Sequence, residues 1–336
     1  MGGTKRKRRG ARGMWSGRRR SAKTGRLCSA PDAEPPKLRL TGTLLLRKEL
    51  LHDFVLYLDA DGLVALCEAM AEVNSTSAVL QDVNRWQHVL QAHCHVDLAA
   101  SNVYRSVTLD GSCDALVDYL SLRKQLECFS RCVHVVKGDL GTITTVGDQQ
   151  VDCLVFPTSS SYRNPGRGVA GRVHERAGHD LDRAVTNLAM RNTAKAGSVL
   201  CTVGCSSGAR LMVHCVGPVG GRADAARLLY KTYVNAPLAA DSNDVKCAAV
   251  ASISTGLLRF PVPQAADTAL SVVRDLVRLR PHWSVNVAFV CIDDEVYANF
   301  QRARQETFQA FHMKELAYPG LVKKLAMAEP ILNHGA

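Results

Sequence analysis

A chain of 336 residues with 46% hydrophobic and 22% charged side chains has ordinary globular composition, which excludes a single small domain and a chain disordered throughout. The formal net charge of +11 sits at one end: residues 1–26 hold eleven of the 42 Lys and Arg and no acidic residue, so the remainder is balanced. That remainder has no overall cationic field with which to gather polyanions, and no apolar run approaches the roughly 18–20 residues that a membrane-spanning helix needs.

The tail opens with five consecutive cations, Lys5, Arg6, Lys7, Arg8 and Arg9, followed by Arg18, Arg19 and Arg20. Self-repelling charge with few apolar groups stays solvated and available to an acidic receptor groove, so the cluster reads as a nuclear import signal for importin. A mitochondrial presequence and a plain cytoplasmic tail are the alternatives, and contact with nucleic acid is expected only through this segment. No secretory leader is expected. Pro31, Pro35 and Pro36 mark a stiff linker, so residues 1–37 are assigned to tail and linker. The twelve cysteines are scattered, and Cys153, Cys201, Cys215 and Cys291 lie in apolar runs, as buried thiols do. Neither Cys128/Cys132, Cys201/Cys205 nor His93-Cys94-His95 forms part of two matched Cys-x-x-Cys knuckles, so no metal and no cofactor are expected.

Between residues 45 and 66, Leu46, Leu50, Leu51, Phe54, Val55, Leu58, Leu63 and Leu66 recur at spacings of three and four, broken by Asp59-Ala60-Asp61-Gly62. The spacing predicts two short amphipathic helices, with a third over 79–90 after a polar break at 74–77. Glu49-Leu50-Leu51, Tyr57-Leu58-Asp59, Leu63, Leu66 and Trp86 resemble an F-box. The resemblance implies docking on Skp1, the adaptor of a cullin-type ubiquitin ligase, through Leu50, Leu51, Leu58, Leu63 and Trp86. An ordinary helical bundle over 38–130 is the other reading.

From residue 133 onward, short β-branched runs alternate with helical stretches, which predicts an α/β sandwich. Strands are expected at 133–136, 153–156, 199–203, 211–216, 247–253 and 285–291, and helices at 171–190, 223–238, 263–280 and 294–311. Residues 306–336 are expected to form a C-terminal helical extension. Four loops at the predicted strand ends are rich in glycine and small polar residues, and in an open α/β sheet that rim is where ligands bind.

Gly138-Asp139-Leu140, Gly168-Val169-Ala170-Gly171 with His174, His214-Cys215-Val216-Gly217-Pro218, and Ile253-Ser254-Thr255-Gly256 with Phe260-Pro261 occur in that order. Together they resemble the macro domain, over about 131–305. The resemblance implies a three-layer α/β/α sandwich with a mixed sheet that binds ADP-ribose or ADP-ribosylated protein. Backbone amides opened by Gly166, Gly168 and Gly171 at a helix start suit a diphosphate. The loop Ser254, Thr255, Gly256, Leu257, Leu258, Arg259 and Phe260 faces it, with Arg259 where the family usually has glycine. Asp139 takes the family's adenine-binding place, with Leu140 and Val169 beside the ligand, although a helix cap is its other reading. Phe156 and Ala170 stand where the family's hydrolases have an asparagine and an aspartate. Neither can orient or deprotonate water, so the pattern favours a reader over an ADP-ribosyl hydrolase or a ligand-free scaffold. His174 is expected to be a packed structural histidine.

Overall fold

The β-branched runs become one mixed sheet. The strands are β1 (Val133–Lys137), β2 (Thr145–Val146), β3 (Gln149–Gln150), β4 (Cys153–Thr158), β5 (Val199–Val203), β6 (Leu211–Val216), β7 (Cys247–Ala251) and β8 (Asn286–Cys291). Six of them line up in the order β1-β8-β7-β4-β6-β5, while β2 and β3 form a separate two-stranded ribbon. Every neighbouring pair in the large sheet is parallel except β5 with β6, which is antiparallel. All five residues of β7 and the first four of β4 are buried, as expected of parallel strands covered on both faces.

The computed structural model describes residues 48–73, 78–94, 103–189, 194–313, 315–316 and 318–326. The basic tail, the proline linker and the polar break at 74–77 lie outside the described residues. The helices are α1 (Lys48–Tyr57), α2 (Ala60–Ala71), α3 (Val83–Cys94), α4 (Asp114–Cys132), α5 (Gly168–Ala177), α6 (His179–Ala189), α7 (Ala225–Asp241), α8 (Val262–Leu279), α9 (Asp294–Gln309) and α10 (Pro319–Ala326). None of the described helices is long and apolar enough to cross a membrane.

Helices cover both faces, completing a three-layer sandwich. On one face, Val173, Ala177, Leu181 and Val185 of α5 and α6 pack on Leu154, Phe156, Met212, Ala249 and Ala288 of the sheet. On the other, α4, α7, α8 and α9 supply Phe129, Leu229, Leu270 and Phe300 to a cluster with Val155, Val213, Val250 and Phe289. The single helix expected at 171–190 is two helices, because Gly178 takes φ +79° and turns the chain between α5 and α6.

The N-terminal helices share this second core. Leu51, Val55, Leu63 and Trp86 belong to the same apolar cluster as the sheet residues, and the described residues all fall within one compact unit. Trp86 lies 5.9 Å from the Tyr119 ring of α4 and its indole N–H donates to the Val79 carbonyl at 2.9 Å. Asp59 caps α2 by accepting from the Gly62 N–H at 2.8 Å. Glu127 of α4 accepts from the Ala60 N–H at 3.0 Å, fastening that corner to the body. Three of the five leucine and tryptophan side chains assigned to Skp1 docking, Leu51, Leu63 and Trp86, are therefore core residues with no free surface. Leu58 is half-buried and Leu50 exposed.

Candidate functional site

Parallel strands β7, β4 and β6 lie side by side, so the segments leaving their C-terminal ends, 252–261, 159–167 and 217–224, emerge as neighbours on one rim. The β1 end adds 138–144, and Gly138 is held there by donating its N–H to the Cys291 carbonyl at 2.9 Å. Sheet topology thus gathers all four glycine-rich loops that the sequence singles out.

Segment 159–167 feeds α5. Gly166 and Gly168 take φ +62° and +63°, a left-handed conformation open to glycine at little cost, and nothing lies within 4 Å of where their Cβ atoms would stand. Gly171, one turn into the helix, would bring a Cβ to 2.8 Å from the Gly166 carbonyl carbon, so glycine there lets the loop fold back on the helix. The first-turn N–H groups of α5 have no side-chain cap, which leaves the positive helix end directed at the rim. Val169 is half-buried beside it, while Ala170 is buried.

Both segments carry backbone strain, one residue in 159–167 and two in the opposing 252–261. Tyr162, Ser254 and Arg259 all have positive φ, at 58°, 68° and 51°, conformations that cost a residue with a Cβ about 1–2 kcal/mol. Such strain concentrates at ligand clamps and switch regions. Phe260 closes the turn by donating its N–H to the Ser254 carbonyl at 2.9 Å, and its ring is buried. Gly220 donates to the Leu258 carbonyl at 2.7 Å, tying this loop to 217–224. A Cβ on Gly220 would stand 2.3 Å from the Arg259 carbonyl oxygen, and one on Gly217 would stand 2.1 Å from Ser254 Oγ. Thr255 Oγ1 bonds to Ser252 Oγ at 2.8 Å, Gly256 lines open space, Leu257 is exposed and Leu258 is half-buried.

Two hydroxyls at the strand ends, Ser254 Oγ and Thr158 Oγ1, are buried with no partner among the described residues. A buried hydroxyl left unpaired costs about 1–3 kcal/mol, so these atoms mark places where a polar ligand atom would be stabilised.

Asp139 is occupied by protein contacts. Its Oδ1 accepts from the Gly141 N–H at 2.8 Å, and its Oδ2 lies 2.6 Å from Arg172 Nη2 on α5. It caps a turn rather than a helix, since the N–H groups of Thr142 and Ile143 both return to its carbonyl and no helix follows. Leu140 is buried in the α5-side core. Sequence reading misses Arg172, Thr158, Tyr162 and Gly220. The first two acquire their roles only from loops far apart in the chain, whereas the Val219-Gly220-Gly221 run is a turn signal visible in the sequence.

Beneath the rim, Phe156 is fully buried, with its ring edge-on to His214 at 4.6 Å and to His174 at 6.2 Å. His174 Nδ1 lies 2.6 Å from Asp182 Oδ1, in agreement with a packed structural role. His214 Nε2 lies 3.0 Å from Thr202 Oγ1, and burial followed by the neighbouring His174 pushes its imidazole down to about 3. Where the sequence reading expects the loss of a polar group, the sheet therefore holds a hydrophobic wedge between β4 and α5.

The Macro domain profile matches residues 157–269. The O-acetyl-ADP-ribose deacetylase of Citrobacter rodentium is 30% identical over 173 residues, covering 51% of this chain and 93% of that protein. The protein of the same name from Escherichia fergusonii is 32% identical over 166 residues, 48% of this chain and 89% of its own length. Among solved structures, the Oceanobacillus iheyensis macrodomain with MES bound is 25% identical with a TM-score of 0.47, covering 52% of this chain and 91% of that one. With a rim assembled from those loops and relatives matched over nearly their whole length, the chain belongs to the macro domain family.

Proposed function

We propose that the rim binds ADP-ribose, free or attached to a protein, and that the chain is a reader of that group. The observation that carries the reading is the pair Gly166 and Gly168, held in the left-handed region with open space above them at the head of an uncapped helix. Amides presented in that way favour a diphosphate. The ligand class agrees with the name carried by the bacterial relatives. Ala170 and Phe156 supply neither a base nor an orienting amide, so binding without hydrolysis follows. Calorimetric titration of the full chain with ADP-ribose is expected to give micromolar affinity that Gly168→Glu abolishes. No heat at millimolar concentration would refute the reading.

The relatives' name also favours a second reading, deacylation in which the ligand's own phosphate positions the attacking water and the protein holds geometry. Turnover of O-acetyl-ADP-ribose above the uncatalysed rate, lost in Gly168→Glu, would establish it over the reader.

For the N-terminal helices, Skp1 docking is proposed through the two assigned side chains that keep surface, Leu50, 40% accessible, and the half-buried Leu58, and an ordinary helical bundle is the other reading. Replacing Leu50 and Leu58 with Ala is expected to abolish capture of purified Skp1, and unchanged capture refutes it. Nuclear import through Lys5 to Arg9 is proposed on charge alone, and continued nuclear accumulation after deletion of residues 1–26 would overturn it.

A further inference from the structure

Segments 159–167 and 252–261 contain Arg163, Arg167 and Arg259 and no acidic residue. All three side chains are exposed, and among the described residues none of the three guanidinium groups has an ion-pair partner. The other arginines of the rim are neutralised: Arg172 lies 2.6 Å from Asp139, and Arg222 lies 3.8 Å from Asp224. Because β4 and β7 are adjacent parallel strands, the segments leaving them are neighbours, and the three unpaired cations share one side of the molecule. In a chain whose charge outside the tail is balanced, this concentration is local.

Arg259 adds a second observation. It holds φ +51° in a turn tied down by the Gly220–Leu258 and Phe260–Ser254 hydrogen bonds. Glycine would adopt that backbone without strain, so an arginine kept there retains its side chain at a conformational cost. Three unneutralised guanidinium groups on adjoining loops also repel one another, and a partner carrying carboxylates relieves that repulsion while forming charge-assisted hydrogen bonds.

The surroundings select the kind of partner. A nucleotide polymer is gripped by cations interleaved with exposed aromatic platforms. The aromatic residues of these loops, Tyr162 and Phe260, are buried at 2% and 5% exposure. The exposed apolar side chains beside the arginines are aliphatic, Leu257 at 76% and Val219 at 50%. Such a mixture suits a polypeptide with acidic and aliphatic side chains.

We propose that Arg163, Arg167 and Arg259, with Leu257 and Val219, form a docking surface for the acidic peptide segment that flanks an ADP-ribosylated side chain. The site then reads the modification together with its sequence context. The inference rests on the nucleotide reading above and assigns its carrier.

The test titrates the full chain with free ADP-ribose, with a mono-ADP-ribosylated peptide flanked by Asp and Glu, and with the same peptide flanked by Asn and Gln. The acidic peptide is expected to bind about tenfold more tightly than its neutral counterpart, with the advantage shrinking as salt is raised. The double variant Arg163→Gln, Arg167→Gln is expected to bring the ratio of acidic-peptide to neutral-peptide affinity to about one, a ratio that any loss of affinity for the ADP-ribose group common to both peptides leaves unmoved. Equal affinity for the two peptides overturns the proposal, as does poly-ADP-ribose binding more tightly than the acidic peptide. If free ADP-ribose fails to bind, the nucleotide reading falls. The unmodified acidic peptide then decides the surface alone: arginine-dependent binding supports it, and no binding overturns it.

Discussion

His214 is a base that folding keeps neutral. Its ring is fully buried between Phe156 and the edge of His174, and its pKa falls to about 3 from an ordinary 6.5. An unfolded chain takes up the proton below about 6.5 while the folded one refuses it down to about 3. Stability from this group is therefore complete above 6.5 and declines as pH falls through that window, by at most about 1.4 kcal/mol per pH unit. Urea unfolding at neutral and mildly acid pH checks the sign, and His214→Asn is expected to flatten the slope by about one proton's worth. Gly171 gives a second prediction: Gly171→Ala drives a Cβ against the Gly166 carbonyl carbon and is expected to cost about 1–3 kcal/mol and weaken ADP-ribose binding. A stability and affinity equal to those of the unaltered chain would show that the loop yields without consequence. The glycines of this cradle are legible in the sequence because positive φ and close approach leave a composition signature. The Asp139–Arg172 pair is not, because nothing local links a turn after β1 to the second turn of α5.

At the level of elements, strand positions follow from β-branched runs bounded by polar turns, and the expected and observed limits of β5 and β6 coincide. Helix α4 escapes the periodicity test for a physical reason. Ala115, Leu116, Val117, Tyr119, Leu120, Ser121 and Leu122 are all buried, so its first half is covered on most sides and keeps only a narrow polar edge, Asp114 and Asp118, both paired with Arg105. In α8, the buried pair is likewise invisible as chemistry in the sequence. Arg274 Nε donates to Asp275 Oδ1 at 2.8 Å, and Tyr230 Oη donates to Asp275 Oδ2 at 2.6 Å. Asp275→Asn would strand the Arg274 guanidinium, whose side chain is 2% exposed, and is expected to cost about 3–5 kcal/mol by urea denaturation. A loss under 1 kcal/mol would mean that the Glu315 carbonyl, which also accepts from Arg274, suffices to hold the charge.

For the molecule as a whole, the helices of residues 48–132 and the sheet share one apolar cluster, which makes cooperative unfolding the expectation. Trp86 reports on the helices and Trp283 on the sheet side, so single-tryptophan variants followed by fluorescence should give coincident urea transitions. Separated midpoints would reveal two independently melting parts. Trp86→Phe is the gentler probe, because Trp86→Ala in this core would remove about 3–5 kcal/mol. A composition change near residue 130 marks the start of the sheet in the sequence, but the shared core is a property of contacts between distant segments and leaves no local trace.

Edge strand β1 has β8 as its neighbour in the sheet, with Val133 opposite Val287, and Phe129 just before it packs at 5.4 Å on Phe311. During synthesis the first strand of the sandwich therefore leaves the ribosome well before the strand that covers it. Until that partner emerges, β1 presents an unpaired backbone edge to solvent, carried by a helix that runs directly into it without an intervening loop. A nascent chain released short of residue 286 thus displays a sticky border suited to chaperone capture, and translation through the final strand is the event that seals it.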